Sequence, residues 1–213
     1  MSQPDLGSTL VIGALVIAVL FFAGISFFQF SLLISLMGSL AATAIYLEPY
    51  RYIRFISFTE PFENFYGPGW QLSNALLGIG RGEWFGVGLG NSLQKNLYLP
   101  EPHTDFIFAV IVEEFGLIGG LIVIFLFALL IFGILATSIK ALELGKLFQG
   151  LLAFGAGILI AIQVVFNIGV NLGILPTKGL TLPFISYGGS SLILFMFLMG
   201  IVLRINFENK TIK

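Results

Sequence analysis

Long runs of apolar residues dominate the pattern along this chain and predict helices that cross a membrane. Five segments are long and apolar enough to cross a bilayer, which takes about 20 residues, namely roughly 7–25, 27–47, 106–137, 149–172 and 189–204. The third would be about 48 Å long at about 1.5 Å per residue, so it must tilt, kink or protrude. The pattern therefore predicts an all-α polytopic membrane protein with a long loop between the second and third spans.

Composition leads to the same class of protein. The chain is 57% hydrophobic and 10% charged, with a mean hydropathy of +1.02, whereas a soluble domain has about 25% charged residues. The absence of cysteine excludes disulfides and thiolate metal sites, and the net charge of −1 gives no reason to expect nucleic acid. Residues 1–5 lack the basic stretch that opens a conventional signal peptide, so none is expected.

Basic residues indicate which loops face the cytoplasm. Lys140 and Lys146 flank one short loop, and further basic residues end the chain at 204–213, so the positive-inside rule places both segments inside. The loops 48–104 and 173–188 and the N-terminus then face outward. Both Trp and all six Tyr residues fall on that outer side, and such rings favour the headgroup region of a membrane.

Two lines of polar residues run along predicted spans. Hydroxyl residues recur every four positions on the second span and favour close helix packing; these are Ser31, Ser35, Ser39 and Thr43. Glycine pairs four residues apart, Gly116/Gly120 and Gly169/Gly173, fit the same packing role. The amides of Gln163, Asn167 and Asn171 form a line on the fourth span. Amides are costly in lipid, so these three either bind neighbouring helices or line a water-filled cavity.

The loop 48–104 is too long for a simple connection and too aromatic for a disordered one. Its segment 70–79 predicts a short helix that lies at, or dips into, the membrane surface. The glycines between 78 and 90 match neither the Rossmann nor the P-loop spacing, so a flexible turn is the better interpretation. Arg81 and Lys95 bracket that turn. They are either solvated charges or ligands for a pyrophosphate at headgroup level.

Three carboxylates lie at or inside the third predicted span. Asp105 stands where a proline-rich turn gives way to the apolar run, and chemistry alone favours a helix cap there. Glu113 and Glu114 lie about 12 Å deeper, where a carboxylate is normally paired or faces a cavity. At most one of them lines the same cavity as Asp105, and we favour Glu113. His103 is the only histidine, which excludes a histidine-rich metal site and a Ser-His-Asp triad.

Two strings of residues resemble a known family. They are Leu-Pro-Thr-Lys-Gly-Leu-Thr-Leu-Pro-Phe-Ile-Ser-Tyr-Gly-Gly-Ser-Ser at 175–191 and Tyr-Leu-Pro-Glu-Pro-His-Thr-Asp-Phe-Ile-Phe-Ala at 98–109. Both resemble hallmark segments of the SEDS family (shape, elongation, division and sporulation), and the Thr-Lys-Gly-Leu-Thr core resembles its division branch. The resemblance begins at Gln-Pro-Asp-Leu-Gly, residues 3–7, a string that lies near the middle of family members. We therefore expect the chain to match their C-terminal half, as a fragment or a split gene product.

The resemblance implies a membrane enzyme that polymerises lipid-linked disaccharide-pentapeptide into peptidoglycan strands at the division septum. An acceptor sugar hydroxyl would attack C1 of a sugar carried on undecaprenyl pyrophosphate and invert it. That step needs one base and positive charge at the leaving group. By resemblance Asp105 is the catalytic base. The candidate substrate-binding residues are Arg81, Lys95, His103, Thr104, Glu113, Lys178 and Ser186.

The resemblance also implies partners in the bacterial cytoplasmic membrane. The expected partner is a class B penicillin-binding protein, which crosslinks the new strand and activates the polymerase, together with other division proteins. A divalent cation is an open option, and no other cofactor is expected.

Two other functions stay open on the sequence alone. A transporter that flips the lipid-linked precursor would also need polar residues in its spans, although only Glu113 and Glu114 are charged deep within one. The second alternative is a non-enzymatic membrane scaffold, since part of the family's substrate-binding surface would lie outside this chain.

Overall fold

The computed structural model of the chain describes residues 6–95, 99–177 and 179–211. Seven helices make up most of these ranges, and no strand occurs in them, which confirms the predicted all-α class. In chain order they are α1 (Leu6–Phe22), α2 (Phe27–Tyr46), α3 (Pro49–Thr59), α4 (Trp70–Gly82), α5 (Ile107–Glu143), α6 (Leu147–Asn171) and α7 (Gly189–Thr211).

The predicted spans coincide with five of these helices. Among the described residues, α2, α5, α6 and α7 are long and apolar enough to cross a membrane, and α1 is a shorter apolar helix. The chain is therefore a multi-pass membrane protein. Helix α5 continues to Glu143 and α7 to Thr211, beyond the predicted ends at 137 and 204. The apolar pattern ends before the helices do, because their last turns carry polar residues that keep the helical hydrogen bonds.

Helices α5, α6 and α7 pack around a shared core. Its fully buried side chains include Phe108, Ile134, Ile160 and Phe195. Helix α1 lies along α6, where the rings of Phe22 and Phe154 stack with centroids 3.8 Å apart. Helix α4 packs on α5 and α6. The predicted short helix of the outer loop is thus confirmed, and it lies against the bundle.

Helix α2 is the least covered of the long helices. Ser26 caps it in a reciprocal capping box with Gln29, and no residue along α2 is buried. The Thr43 hydroxyl donates to the carbonyl of Ser39, and the Ser39 hydroxyl to that of Leu36. Ser39 and Thr43 therefore bond their own helix backbone, and Ser35, Ser39 and Thr43 are exposed, so the expected close helix contact is not made at these three positions.

A kink divides α5 near its N-terminal end. Gly116 has φ 73° and ψ −175°, which interrupts the helix. A Cβ at this position would come within 2.3 Å of the Trp84 carbonyl oxygen, so only glycine fits. The prediction that the long third span must tilt, kink or protrude is met by this kink. Gly116 serves close packing, as predicted, but it lies at the break itself and packs on the backbone of Trp84 and Gly86.

The segment after α4 binds the backbone groups that the kink leaves without helical partners. Leu117 N–H donates to the Glu83 carbonyl (2.8 Å), and Val87 N–H donates to the Glu113 carbonyl (3.0 Å). Gly88 N–H adds a bond to the Glu114 carbonyl (3.0 Å). Because lipid supplies no hydrogen bonds, a broken helix at membrane depth needs such partners from protein.

The glycines between 78 and 90 serve close packing more than flexibility. Gly78, Gly80 and Gly82 lie within α4, so the flexible-turn interpretation is wrong for them. A Cβ on Gly82 would lie 2.1 Å from the Val112 carbonyl oxygen, and a Cβ on Gly86 equally close to that of Glu114. The absence of side chains here lets the backbone of this segment touch α5.

Gly173 ends α6, and the predicted packing role of the Gly169/Gly173 pair is met in part, because a Cβ on Gly173 would contact Leu72 and Leu76 of α4. Gly173 has φ 69°. Its N–H donates to the Val170 carbonyl (3.1 Å), while Ile174 N–H donates to the Gly169 carbonyl (2.8 Å). This pair of bonds is the Schellman motif, in which glycine turns the chain away from a helix end. The turn directs the chain into the segment that covers the candidate site.

Candidate active site

The two strings that carry the family resemblance meet in one place. Tyr187 N–H donates to the His103 carbonyl (2.8 Å). The Ser186 hydroxyl donates to the Thr104 carbonyl (2.6 Å) and accepts from Leu182 N–H (2.7 Å). The loop before α7 is therefore bonded to the turn that precedes α5.

The next carbonyl along the same turn is held from a third direction. The Asp105 carbonyl accepts from Nδ2 of Asn167 (2.9 Å) and from Nδ2 of Asn171 (3.0 Å). Asn167 also donates to the Leu180 carbonyl (2.7 Å). Three consecutive carbonyls, at residues 103 to 105, are thus fixed by α6 and by the loop before α7. Between the two interpretations left open for the amides, the structure makes Asn167 and Asn171 contacts within the protein.

Asn171 caps α5 from another helix. Helix α5 begins at Ile107, and its N-cap residue, Phe106, offers no side-chain hydrogen bond. The N–H of Ala109, in the first turn, donates instead to Oδ1 of Asn171 (2.9 Å). The interpretation of Asp105 as the helix cap is therefore wrong, and its carboxylate is not needed for that role.

The Asp105 carboxylate is half-buried, and no residue in the described ranges donates a hydrogen bond to it. It lies against Gly179, where a Cβ would come within 2.9 Å of Oδ2. Burial raises the pKa of Asp105, and the negative charge of Glu101 raises it further. A raised pKa strengthens the carboxylate as a proton acceptor.

The other site residues predicted near Asp105 differ in their exposure. His103 is exposed. The Thr104 hydroxyl lies within hydrogen-bond distance of two acceptors on Glu101, the backbone carbonyl (3.1 Å) and the carboxylate (3.2 Å). Ser186 is 8% exposed, and its only hydroxyl proton is already donated within the protein. Lys178 lies outside the described residues.

Glu113 belongs to a separate polar cluster at the kink of α5. Its side chain is fully buried and accepts four hydrogen bonds. The donors are Nη1 of Arg81 (3.0 Å), the Ser92 hydroxyl (2.5 Å) and the backbone N–H groups of Leu93 (3.0 Å) and Gln94 (3.4 Å). Each carboxylate oxygen thus has two donors, as a buried charge requires.

Glu114 completes this cluster through Lys95. The Lys95 ammonium lies 2.5 Å from Oε1 of Glu114, so both cations that flank the glycine-rich segment pair with carboxylates of α5. These carboxylates lie about 12 Å from Asp105 along the helix axis. The structure therefore brings His103, Thr104, Asp105 and Ser186 together, and it groups Arg81, Lys95 and Glu113 elsewhere. In the described ranges no three His, Asp or Glu side chains form a group that could hold a metal ion.

The fold and the site define a class of protein: a multi-pass helical membrane protein with a half-buried carboxylate at the start of a broken span. The family described as cell cycle protein (FtsW/RodA/SpoVE) matches residues 1–211. The chain belongs to this family, which confirms the resemblance to the SEDS proteins.

Curated relatives are similar along the whole chain. The probable peptidoglycan glycosyltransferase FtsW of Pasteurella multocida is 48% identical over 213 residues, which cover 100% of this chain and 54% of the relative. The protein of the same description from Haemophilus influenzae is 51% identical over 208 residues, or 98% of this chain and 53% of the relative. The chain thus spans about half the length of the curated relatives it matches, as a match to one half of the family fold requires.

Two solved structures share the fold. One is a chain from a study of how a peptidoglycan synthase complex coordinates polymerization and crosslinking; the TM-score is 0.75 at 29% identity, over 98% of this chain and 57% of that one. The other is an aspartate-to-alanine mutant of the rod shape determining protein RodA from Thermus thermophilus. Its TM-score is 0.62 at 30% identity, over 97% of this chain and 51% of that one.

Proposed function

We propose that this chain forms the catalytic part of a peptidoglycan glycosyltransferase that polymerises lipid-linked disaccharide-pentapeptide during bacterial cell division. The observation that carries the proposal is the Asp105 carboxylate, which is half-buried, has no donor among the described residues and stands on a fixed backbone. The descriptions of the curated relatives as probable peptidoglycan glycosyltransferases support the reaction class.

In the proposed reaction Asp105 acts as the general base. The acceptor sugar hydroxyl attacks C1 of the donor sugar, and its proton passes to the Asp105 carboxylate. The new O–C1 bond forms as the bond from C1 to the pyrophosphate oxygen breaks, and the pyrophosphate leaves with the electron pair. The attack inverts the configuration at C1. A base whose pKa is raised, yet which remains ionised when it acts, is suited to this transfer.

The leaving pyrophosphate requires positive charge, and Lys178 is our candidate for that role. It directly precedes Gly179, which touches the Asp105 carboxylate. Arg81 and Lys95 are weaker candidates, because each already pairs with a glutamate of α5. Electrostatic stabilisation of this kind acts strongly where protein excludes water.

The state of Glu113 and Glu114 argues against a transporter. A carrier that moves a charged headgroup through the bilayer needs charged groups at depth that can exchange partners. Glu113 has four donors and Glu114 has Lys95, so both serve to hold the kinked segment. Of the three carboxylates at or inside the third predicted span, the one that has no donor among the described residues is that of Asp105, at the start of α5.

We further propose that the protein works in the bacterial cytoplasmic membrane, at the septum, with a class B penicillin-binding protein and other division proteins. The similarity to a chain of a peptidoglycan synthase complex supports a crosslinking partner.

A polymerisation assay tests the proposed function. Because the relatives are about twice as long, the assay compares the chain alone with a chimera in which it replaces the matching half of the Pasteurella multocida relative. Each protein is supplied with lipid-linked precursor and a class B penicillin-binding protein, and the unaltered relative is the control. We expect glycan strands from the chimera. Movement of precursor across vesicles without strand formation, while the relative polymerises, would establish the transporter instead.

A further inference from the structure

Asn167 is the one side chain in the described site that holds two separate chain segments with a single amide group. Its Nδ2 donates to the Asp105 carbonyl and to the Leu180 carbonyl. The side chain is 1% exposed. Both amide hydrogens are therefore used, one on the turn before α5 and one on the segment that covers it.

We propose that Asn167 is a positioning residue, which fixes the distance between the Asp105 carboxylate and the covering segment 179–182. The proposal rests on the proposed function, because it assumes that Asp105 is the base. It assigns Asn167 no contact with substrate. Its effect passes through the two backbones that it holds.

The geometry makes this distance sensitive to Asn167. The Asp105 carboxylate lies against Gly179, and the next carbonyl along the chain, that of Leu180, is the one that Asn167 binds. On the opposite side of the contact, Asn167 binds the carbonyl of Asp105 itself. One amide thus anchors both sides of the contact between Gly179 and the Asp105 carboxylate.

A neighbouring residue allows positioning to be separated from folding. Asn171 also donates to the Asp105 carbonyl, and its Oδ1 caps α5 at Ala109. Loss of the Asn167 amide would therefore leave the turn bonded and α5 capped. What it would release is the covering segment at Leu180.

Release of the cover has a measurable consequence for the base. Burial is the main reason why the pKa of Asp105 is raised. When the covering segment moves away, water reaches the carboxylate, and its pKa falls towards the ordinary value. The acid limb of the activity profile then shifts to lower pH, which a defect in folding alone would not produce.

Gln163 supplies a matched control on the same helix. It lies about one turn before Asn167 on α6, and its Oε1 is buried with no partner among the described residues. Gln163→Ala removes a comparable amide without touching the turn or its cover. Asn167→Ser keeps one donor and serves as the milder variant if Asn167→Ala fails to fold.

The experiment measures strand formation against pH for the polymerising chimera and its variants, together with thermal midpoints. We expect Asn167→Ala to lower the maximal rate about 10- to 100-fold, as misplaced catalytic groups do, and to shift the acid limb to lower pH. Asn167→Ser should have a maximal rate and an acid limb between those of the parent and Asn167→Ala. Gln163→Ala should match the parent in both the rate and the acid limb. An unchanged pH profile, or a rate that falls only in proportion to the folded fraction, would overturn the inference.

The outcome also separates this inference from the proposed function. If Asn167→Ala matches the parent while Asp105→Asn is inactive, only the positioning role is wrong. If Asp105→Asn itself polymerises at the parent rate, the assignment of the base fails and this inference fails with it.

Discussion

The carboxylate of Asp105 lies directly against Gly179, with no room between them for a side chain. A Cβ at residue 179 would come within 2.9 Å of Oδ2 of Asp105, closer than van der Waals contact allows. An alanine at residue 179 would therefore require the Asp105 carboxylate or the segment at 179 to shift. The segment that carries the family resemblance is in this way fitted to the residue that we assign as the base.

Gly179→Ala tests this fit. The new methyl group should push the carboxylate aside or lift the covering segment, and polymerisation should fall about 10- to 100-fold. Gly189→Ala is the matched control, since a Cβ there meets nothing within 4 Å. Equal activity of the two alanine variants, measured as strand formation by the chimera, would show that the carboxylate does not act from this position.

Glu101→Gln tests the electrostatic part of the site. Glu101 adds to the raised pKa of Asp105, so loss of its charge should lower that pKa. A base acts only when deprotonated, so the acid limb of the rate profile should shift to lower pH. Glu63→Gln removes an exposed outer-loop charge and should leave the profile unchanged. A shift to higher pH in Glu101→Gln would contradict the account.

Two arginine–glutamate pairs in the same chain allow a test of the cluster at the kink. Arg81→Met leaves Glu113, which is fully buried, without its cation. Loss of a buried partner costs about 3–5 kcal/mol, and because Arg81 is 41% exposed we expect about 1–3 kcal/mol.

Arg204→Met is the control for that comparison. Its pair with Glu208 is more exposed, at 68% for the arginine side chain, and should contribute little to stability. Thermal unfolding in detergent measures both variants. Equal midpoints for the two would show that the cluster does not stabilise the kinked helix.

The predicted orientation in the membrane has a direct test, because the chain contains no cysteine. Gly67→Cys lies in the outer loop, and Lys210→Cys lies at the end of α7; both positions are exposed. An impermeant thiol reagent on intact cells without an outer barrier should label only position 67. Labelling of position 210 alone would invert the topology and move Asp105 to the wrong side of the membrane.

Features that depend on residues close together along the chain, such as the helices, could be predicted from the sequence. Apolar runs located the four helices long enough to span a membrane and the shorter apolar helix α1. The length of the third run required a tilt, a kink or a protrusion, and α5 has the kink. The position of the kink at Gly116 could not be predicted, because its backbone partners come from residues 83–88. A signal did exist in the clustered glycines between 78 and 90, two of which now prove to contact the backbone of α5.

The candidate site likewise combines features that the sequence indicates with contacts that only the fold creates. Asp105 was found from the family resemblance, but the cap that would have explained it locally is supplied by Asn171, 62 residues from Ala109. The amide line on α6 left open whether these side chains bind protein or line a cavity, and the carbonyls that Asn167 and Asn171 bind are known only from the fold. The ion pairs of Arg81 and Lys95 could not be predicted from the sequence. Their partners, Glu113 and Glu114, are distant along the chain and close only in the fold.

Asp105→Asn affects folding and catalysis in opposite directions. Because the folded-state pKa is raised, the stability that Asp105 contributes is present below the ordinary pKa of about 3.9 and is lost as pH rises through the folded value. At neutral pH the ionised carboxylate therefore destabilises the fold. The asparagine variant should have an unfolding midpoint at or above that of the parent, with the difference vanishing in acid.

Strand formation by Asp105→Asn at neutral pH is the most direct test that Asp105 is the general base. Asparagine keeps the size of the side chain, and the carbonyl of residue 105 keeps its bonds to Asn167 and Asn171. We predict a rate about 10²- to 10⁴-fold below that of the parent chimera, at equal or higher thermal midpoint and with binding to the transpeptidase retained. Polymerisation at the parent rate by this folded variant would contradict the assignment of Asp105 as the base.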